Sequence, residues 1–514
     1  MKKLYNGIIV NDDFPLGENV DDITYLNHPP KVINVSVGRQ LFVDNFLIDK
    51  TDLLSEYHKP QKFEGNPIFY PQESWEKEDC PVACPKSGGV WYDEEENLFK
   101  MWYEASWLKH MAYATSKDGI NWNRPKLDIV KGTNIILDYD GFELEKGFSG
   151  LDYLRPDSTT VVIDYDTKNK NEKYKLFLRN PEGVTPALIA TSKDGIHFEN
   201  FKTTPPLEDR STIFYNPFRK KWVFSIRKSW TPGRRARSYY ECDDYINDKL
   251  WSDGEDIKWL HTNENDLPNP YIDYYQPDLY NVDCVGYESV MLGMFQILYG
   301  PDNQKCENRG VPKITELIPI FSRDGFHFTR PSNESIINAS MYKGAWDRGY
   351  IQSVGGVCII NGDELWIYYI GFAGDENKSK KIWFNNGMYS NGALGIAKIR
   401  RDGFVSLTGK GSILTKSLVF YDRCQMFVNI DGELVVEILD ENDCLVAKSD
   451  KINSNNTHEK VLFKNFDISS LSGKVFKLRF VLDGKLYSFD FTDESGDSHG
   501  AHAGGIVKNE TRNN

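Results

Sequence analysis

In three of the repeated units of this 514-residue sequence, an acidic side chain lies one or two positions from an arginine, just before the first strand-like apolar run of the unit. A carboxylate beside an arginine stays ionised, whereas a carboxyl group among apolar neighbours has a raised pKa. An unequal pair of this kind can cleave a glycosidic bond: one acid protonates the leaving oxygen, and one carboxylate attacks or activates water. The three places are Arg155-Pro-Asp157, Asp209-Arg210 and Asp347-Arg348.

The candidate acid is Glu288, which lies in the neutral and apolar stretch 285–294. This setting is expected to favour its protonated form. The candidate ionised partners, as base or nucleophile, are Asp157 and Asp209. Structural roles remain the alternatives: Glu288 could accept hydrogen bonds from backbone amides, and the aspartates could pair with arginine between repeated units. The residues predicted to bind substrate are Arg155, Arg210, Trp346, Asp347, Arg348, Tyr287 and Trp75, and no metal-binding residue is predicted.

The elements that would position these residues are indicated by a recurring motif. Thr115-Ser-Lys-Asp-Gly-Ile-Asn-Trp122 returns at 191–198 and 322–328, with weaker copies at 253–259 and 401–404, at intervals of roughly 60 to 80 residues. Asp-Gly between apolar runs favours a tight turn, because glycine tolerates positive φ. Further strand-like runs precede each copy. The pattern predicts an all-β chain with a five-bladed β-propeller; the alternative is a large sandwich with unrelated turns.

The rest of the chain is predicted to flank this propeller. Residues 1–37 show little periodicity and indicate an arm over the surface, and the strand-like run 40–48 is expected to close the propeller ring. The propeller is placed at 38–410. Shorter strands joined by Asp-Gly and Ser-Gly turns predict a β-sandwich over 411–505, followed by a tail at 506–514. Residues just before the innermost strands would converge on one funnel at the axis.

Composition narrows the class of partner. The chain has 61 basic and 75 acidic residues and a net charge of −14, which argues against nucleic acid and anionic membranes, since both bind excess Lys and Arg. An aromatic content of 13% fits a carbohydrate binder as well as an all-β core. No stretch approaches the length of a membrane span. The expected partner is therefore a carbohydrate substrate, and association into a homo-oligomer stays open.

The eight cysteines are scattered, and the one close pair, Cys80 and Cys84, lacks a second pair at zinc-site spacing. Free buried thiols in a reducing cytoplasm are the simplest interpretation. No secretory signal is visible at the N-terminus, so a cytoplasmic location is expected unless such a segment was removed. No cofactor is expected; whether a calcium ion occupies the central channel stays open.

The chain resembles bacterial glycosyl hydrolases related to the five-bladed propeller glycosidases of families 32, 43 and 68. The resemblance is carried by Leu41-Phe-Val-Asp-Asn-Phe-Leu-Ile48, Gly88-Gly-Val-Trp-Tyr-Asp93, Asp209-Arg-Ser-Thr212, Tyr287-Glu-Ser289 and Trp346-Asp-Arg-Gly349. It implies the C-terminal sandwich and glycoside hydrolysis by funnel carboxylates. The family 32 nucleophile motif Asn-Asp-Pro-Asn has no counterpart near Ser87, and Arg155-Pro-Asp157 only loosely matches the family's Arg-Asp-Pro.

Two other functions fit the same residues. A propeller-type glycoside phosphorylase would use the funnel arginines to bind phosphate, because Arg pairs with oxyanions in a bidentate way. A carbohydrate-binding propeller without catalysis would use the aromatic residues alone, among them Trp75, Trp107 and Trp346.

Overall fold

The computed structural model describes residues 1–138, 157–179, 183–231, 234–252, 254–272, 276–377 and 386–507. Its strands form five antiparallel blades that follow one another around one axis, together with a sheet of eight strands. The innermost strands contact each other from blade to blade. The five-bladed β-propeller predicted from the repeated motif is therefore confirmed.

Each blade is described from its innermost strand outward. Blade 1 consists of Val90–Asp93, Leu98–Ala105, His110–Ser116 and Trp122–Asn123, with Ala83–Cys84 and Ile135–Asp138 paired to its middle strands. Blade 2 consists of Ser158–Ile163, Tyr174–Arg179, Thr185–Ser192 and Glu199–Leu207, and blade 3 of Thr212–Asn216, Lys221–Thr231, Arg234–Cys242 and Ile257–Lys258. Blade 4 consists of Asp278–Glu288, Val290–Gly300 and Ile314–Ser322, and blade 5 of Gly349–Asn361, Glu364–Phe372, Gly392–Arg400 and Gln61–Lys62.

Short helices occupy connections. Among the described residues, the α-helices are Thr24–Asn27 and Asn303–Arg309, and the 3₁₀ turns are Ser74–Glu76, Lys86–Gly88, Lys170–Glu172 and Ile468–Leu471. The helix Asn303–Arg309 is capped by the Asp302 side chain and ends at Gly310 in the left-handed region. None of the helices described has the length and hydropathy of a bilayer-spanning segment.

The three strong copies of the repeated motif form one local structure. Asp118 Oδ1 accepts hydrogen bonds from the amides of Ile120 and Asn121 and from the Ser116 hydroxyl. The motifs around Asp194 and Asp324 repeat these contacts. The prediction that these aspartates are turn residues is confirmed. Residue 253, in the weak copy at 253–259, lies outside the described residues.

The same turns join neighbouring blades. In each, the carbonyl oxygen of the glycine, or of the residue after it, accepts a hydrogen bond from an aromatic side chain of the preceding blade. These bonds run from Tyr368 Oη to Gly119 O at 2.9 Å, from Trp102 Nε1 to Gly195 O at 2.6 Å, and from Trp259 Nε1 to Phe326 O at 2.8 Å. At φ of 74° and 76°, Gly119 and Gly195 adopt a left-handed conformation in which a side chain would also meet the donor ring or hydroxyl. Each of these turns therefore provides one hydrogen bond between neighbouring blades.

The C-terminal strands share their sheet with the N-terminal region. This eight-stranded sheet contains Gln40–Leu41, Ile48–Thr51, Leu54–Tyr57, Val405–Thr415, Gln425–Leu439, Leu445–Lys448, Ile452–Lys460 and Lys477–Thr492. The prediction that the run 40–48 closes the propeller ring is wrong, because Gln40–Leu41 pairs with Lys477–Thr492 and Gln61–Lys62 provides the outer strand of blade 5. The strand Val405–Thr415 spans the predicted boundary at 410. A two-layered sandwich remains a prediction.

Both ends of the chain are packed against the propeller. Residues 1–37 include the paired strands Lys2–Lys3 and Ile9–Val10, and Ile33–Asn34 pairs in parallel with Leu418–Val419. Their side chains Leu4, Ile8, Phe14 and Tyr25 are buried with apolar residues of blades 3 and 4. At the other end, Ala501–His502 pairs with the end of the innermost strand of blade 4. The amide of Tyr92 in blade 1 donates to Gly504 O, and the amide of Ile360 in blade 5 donates to Gly505 O. The C-terminal segment therefore links blades 1, 4 and 5.

Candidate active site

One residue from each blade lies where the innermost strands begin. These are Lys86, Asp157, Arg210, Tyr280 and Tyr350, and we call this group the funnel. The Arg210 guanidinium forms an ion pair with Asp157 and lies 5.9 Å from the centres of both the Tyr280 and the Tyr350 rings. All five residues are buried. The fold thus gathers two cations, one carboxylate and two phenols that are far apart in sequence.

The ion pair of Asp157 and Arg210 spans the seam between blades 2 and 3. Arg210 has a φ of 60° and its amide donates to the Ser158 hydroxyl at 2.8 Å, so its backbone is fixed by the neighbouring blade. The amide of Asp157 donates to the carbonyl of Arg179. A charge-assisted pair between rigid backbones holds the carboxylate in one orientation. Both structural pairing and catalysis are compatible with this geometry.

Asp209 lies beside Arg210 in a more cationic setting. Its carboxylate contacts Arg227 and lies 3.9 Å from Arg235 Nη1. Burial alone would raise its pKa, but Arg235, Arg227 and Arg210 hold that pKa well below its usual range. The side chain is 24% exposed, which makes it the most accessible of the carboxylates considered so far. Asp209 is therefore an ionised group that a ligand can reach.

Glu104 is a buried carboxyl group that the sequence analysis missed. It ends the second strand of blade 1, lies 2.5 Å from Lys86 Nζ, and accepts a hydrogen bond from the amide of Leu108 at 2.5 Å. Burial raises its pKa despite Lys86. Glu104 and Asp157 line the same narrow cavity of about 10 Å³. The sequence analysis considered only residues before the first strands, although second strands return to the same end of the propeller.

Tyr280 is the centre of a cationic group. Lys313 Nζ donates to its hydroxyl at 3.0 Å, and the Arg235 guanidinium lies 4.9 Å from its ring centre. Burial would raise the pKa of Tyr280, but Lys313, Arg210 and Arg235 together lower it to about 8. None of these residues except Arg210 was singled out from the sequence. Lys313 precedes the third strand of blade 4, where only the fold brings it to the axis.

Aromatic rings join the two sides of the funnel. Trp107 stacks on Tyr389 with ring centres 4.0 Å apart, and Lys86 Nζ lies 3.7 Å from the Trp107 ring centre. Tyr389 in turn packs edge-on against Tyr350 at 5.9 Å. Trp107, suggested by the sequence as a residue that could stack on a sugar, therefore lies in this ring system.

Below the funnel the channel is filled by a polar network. Asn281 Nδ2 donates to Asp283 at 3.0 Å and to the Ser87 hydroxyl at 3.2 Å, and the Ser353 hydroxyl donates to Asp283 at 2.5 Å. Burial raises the pKa of Asp283 to about 6. Among the residues that the structure describes, no group of three or more His, Cys, Asp or Glu side chains is arranged to hold a metal ion. Beyond this network lies a cavity of about 580 Å³, lined in part by Trp91, Tyr215 and His502.

Glu288 and Tyr287 lie at the opposite end of the channel. At about 3.3 Å per residue, Glu288 is about 26 Å from Tyr280 along their shared strand. Its carboxylate lies 2.7 Å from Arg401 and accepts from the amide of Arg39 at 3.1 Å. Burial would raise its pKa, but Arg401 and Arg39 lower it. The prediction of a neutral setting is wrong, and Glu288 is too far from Asp157 for a glycosidase pair, which needs about 5 to 10 Å.

The other predicted binding residues have partners outside the funnel. Two are tryptophans: Trp75 Nε1 donates to Asn134 at 3.0 Å, and Trp346 packs on Tyr369 with ring centres 5.4 Å apart. Two are charged and form ion pairs, Asp347 with Lys62 at 2.6 Å and Arg348 with Glu376 at 2.7 Å. The Tyr287 hydroxyl donates to Asp402 at 2.5 Å. Arg155 lies outside the described residues. The eight cysteines are thiols that form no disulfide with one another, and six of them are buried.

Solved structures with a similar chain path include carbohydrate-active enzymes. A β-1,2-mannobiose phosphorylase from Listeria innocua is 14% identical with a TM-score of 0.41, over 66% of this chain and 96% of its own. A thermostable family-43 glycoside hydrolase is 12% identical with a TM-score of 0.39, over 61% and 91%. A Bombyx mori family-32 β-fructofuranosidase is 10% identical with a TM-score of 0.37, over 84% and 94%.

These likenesses concern the chain path, and no residue role is carried over from them. No protein-family model matches this sequence, and no curated protein matches it. The function must therefore be argued from the residues of the funnel.

Proposed function

We propose that the protein is a glycoside hydrolase whose reaction takes place in the funnel. The observation that carries the proposal is the contrast between two carboxyl groups at this end of the propeller: burial raises the pKa of Glu104, while arginines lower that of Asp209. Two carboxyl groups driven apart in this way can serve as acid and as ionised partner at one pH.

In the proposed reaction Glu104 holds the proton. As the bond between the anomeric carbon and the leaving oxygen breaks, Glu104 would donate its proton to that oxygen. Asp157 or Asp209 would act either on water as a base or on the anomeric carbon as a nucleophile. Arg210 would orient the Asp157 carboxylate through their ion pair. The predicted chemistry is kept when the role of acid is given to Glu104 instead of Glu288. The reaction is then placed in the funnel, at the end of the propeller where the charged groups meet.

The proposal is tested with a panel of aryl furanosides and pyranosides. Glu104→Gln should lower kcat by about 100-fold or more, the scale of a lost general acid. The loss should be smaller for dinitrophenyl than for alkyl glycosides, because a good leaving group needs no proton. The matched control is Glu76→Gln, since Glu76 is also buried but lies in the 3₁₀ turn Ser74–Glu76 and pairs with Arg124, which follows the outermost strand of blade 1. Unchanged kcat in Glu104→Gln, or an equal loss for all leaving groups, would contradict the role given to Glu104.

Phosphorolysis is the second candidate, and one observation favours it. Arg227 and Arg235 both approach Asp209, and Lys313 is a third cation in the same region, so the funnel could accept an oxyanion. Turnover that requires inorganic phosphate and releases a sugar phosphate would identify a phosphorylase. Glycan binding without turnover in either assay would identify a carbohydrate-binding propeller.

A further inference from the structure

Lys313 is a buried cation whose charge is not balanced by a neighbouring carboxylate. Its side chain is nearly covered, with the residue 3% exposed, and its ammonium group donates to the hydroxyl of Tyr280. Within the described residues no carboxylate forms an ion pair with it. An uncompensated buried charge is costly, because desolvation is not offset by an opposite charge. The position therefore favours a negatively charged group from outside the chain.

The two arginines whose guanidinium groups lie within 6 Å of the Tyr280 ring centre are compensated. Arg210 is paired with Asp157, and Arg235 lies 3.9 Å from Asp209. With these pairs neutral overall, Lys313 leaves an unbalanced positive charge at the phenol. The buried Arg237, whose Nη2 donates to the Tyr280 carbonyl oxygen and which has no described carboxylate partner, adds to it, so an anionic ligand is favoured at this point.

Hydrogen-bond donors without a partner among the described residues surround the same point. They are Tyr350 Oη, Arg210 Nε and Arg235 Nη1. Tyr350 is 1% exposed and packs edge-on against Tyr280 with ring centres 5.7 Å apart. A buried donor that lacks an acceptor costs about 1 to 3 kcal/mol. The residues that carry these unused donors all lie within 6 Å of the Tyr280 ring centre, which favours an acceptor with several lone pairs in this region.

The ionisation of Tyr280 reports the positive potential at this point. A buried phenol ordinarily has a raised pKa, and here Lys313, Arg210 and Arg235 overcome burial and the opposing charge of Asp209. Arg235 is the accessible member of the group, with a side chain 20% exposed. A ligand would approach across it.

We propose that Tyr280, Lys313, Arg235 and Tyr350 form an oxyanion subsite that binds the carboxylate of an acidic sugar. The subsite rests on the proposed function and specifies its substrate class: glycosides with a uronic-acid unit next to the scissile bond. Guanidinium, ammonium and phenol groups together offer the donors that a carboxylate accepts.

The first test measures binding by calorimetry and needs no turnover. Probes are glucuronate and galacturonate, the neutral sugars glucose and galactose, and inorganic phosphate. The uronates should bind more tightly than the neutral sugars, and Lys313→Met should weaken uronate binding about ten- to hundredfold while leaving neutral sugars unaffected. The control is Lys410→Met, because Lys410 is exposed and pairs with Asp483 in the eight-stranded sheet. Equal affinity for uronates and neutral sugars would overturn the subsite, and binding of phosphate alone would overturn the assignment to a carboxylate.

The second test uses the absorbance of the Tyr280 phenolate near 295 nm. A tyrosine should titrate near pH 8 in the native protein, and Tyr280→Phe should remove this transition. Bound galacturonate should raise the transition, because a nearby negative charge disfavours the phenolate. A transition that galacturonate leaves unchanged would place the sugar elsewhere. Neither test uses hydrolysis. Failure of the glycosidase assay would therefore leave the subsite proposal unaffected, and failure of the binding tests would leave the proposed hydrolysis unaffected.

Discussion

Replacing Glu288 by glutamine separates a catalytic from a structural role at the end of the channel opposite the funnel. The Glu288 carboxylate lies 2.7 Å from Arg401 and 3.8 Å from Arg39 Nε, and it accepts from the Ser498 hydroxyl at 2.7 Å. Glutamine keeps the shape and some hydrogen bonds but leaves Arg401 buried without its counter-charge. Breaking a buried ion pair on one side costs about 3 to 5 kcal/mol. Because the amide retains some contacts, we expect a loss of about 3 kcal/mol in the free energy of unfolding.

The assay combines denaturant unfolding with kinetics on the folded fraction. Glu288→Gln should shift the unfolding midpoint strongly and leave kcat within about twofold, since Glu288 lies about 26 Å from Tyr280. Glu437→Gln is the control, because Glu437 pairs with the partly exposed Lys448 and Arg479 and should cost below about 1 kcal/mol. A hundredfold loss of kcat at unchanged stability would refute this reasoning and restore Glu288 as the acid.

Two further predictions concern stability. Burial would raise the pKa of Asp402, but Arg39 and Arg401 lower it from 3.8 to about 2. The ionised carboxylate therefore contributes about 2 kcal/mol to the free energy of unfolding above pH 4, and this contribution is lost as the pH falls to about 2. In an acid titration followed by circular dichroism, Asp402→Asn should remove this pH dependence, and an unchanged profile would contradict the prediction. Gly484 has a φ of 147° and its added Cβ would meet the Asp431 carbonyl oxygen, so Gly484→Ala should cost about 2 to 4 kcal/mol. Gly132→Ala, at positive φ with no atom within 4 Å, should cost only about 1 kcal/mol, and equal losses would show that the contact is unimportant.

The blades could be predicted from the sequence because their signal is local. Ser116, Asp118 and Gly119 lie within four consecutive residues and form the turn among themselves, so the motif shows the same pattern in its three strong copies. The eight-stranded sheet could not be predicted in this way. Gln40–Leu41 pairs with residues near 488, and the register depends on the rest of the fold.

The candidate site was only partly predictable for the same reason. Asp157 and Asp209 precede innermost strands, and position in the repeat was enough to bring them to the axis. Glu288 looked neutral because only its neighbours in sequence were considered, whereas its partners Arg39 and Arg401 come from distant segments. Lys313 was missed because its role depends on its position beside Tyr280, and nothing in its sequence context indicates that.

The two ends of the channel contain similar residue types but differ in how their charges are balanced. At the end with Glu288, the buried carboxylates of Glu288 and Asp402 have arginine partners within the chain and accept hydrogen bonds from Ser498 and Ser488. Although Arg39 Nε and Arg401 Nε lack a described acceptor, the charges of these carboxylates are balanced by residues of the chain itself. In the funnel, Lys313 has no described carboxylate partner and the Tyr350 hydroxyl has no described acceptor. A buried charge without a counter-charge and hydrogen-bond donors without acceptors lower the stability of the fold, and a bound ligand would offset that loss. The substrate is therefore expected to bind in the funnel and not at the end with Glu288.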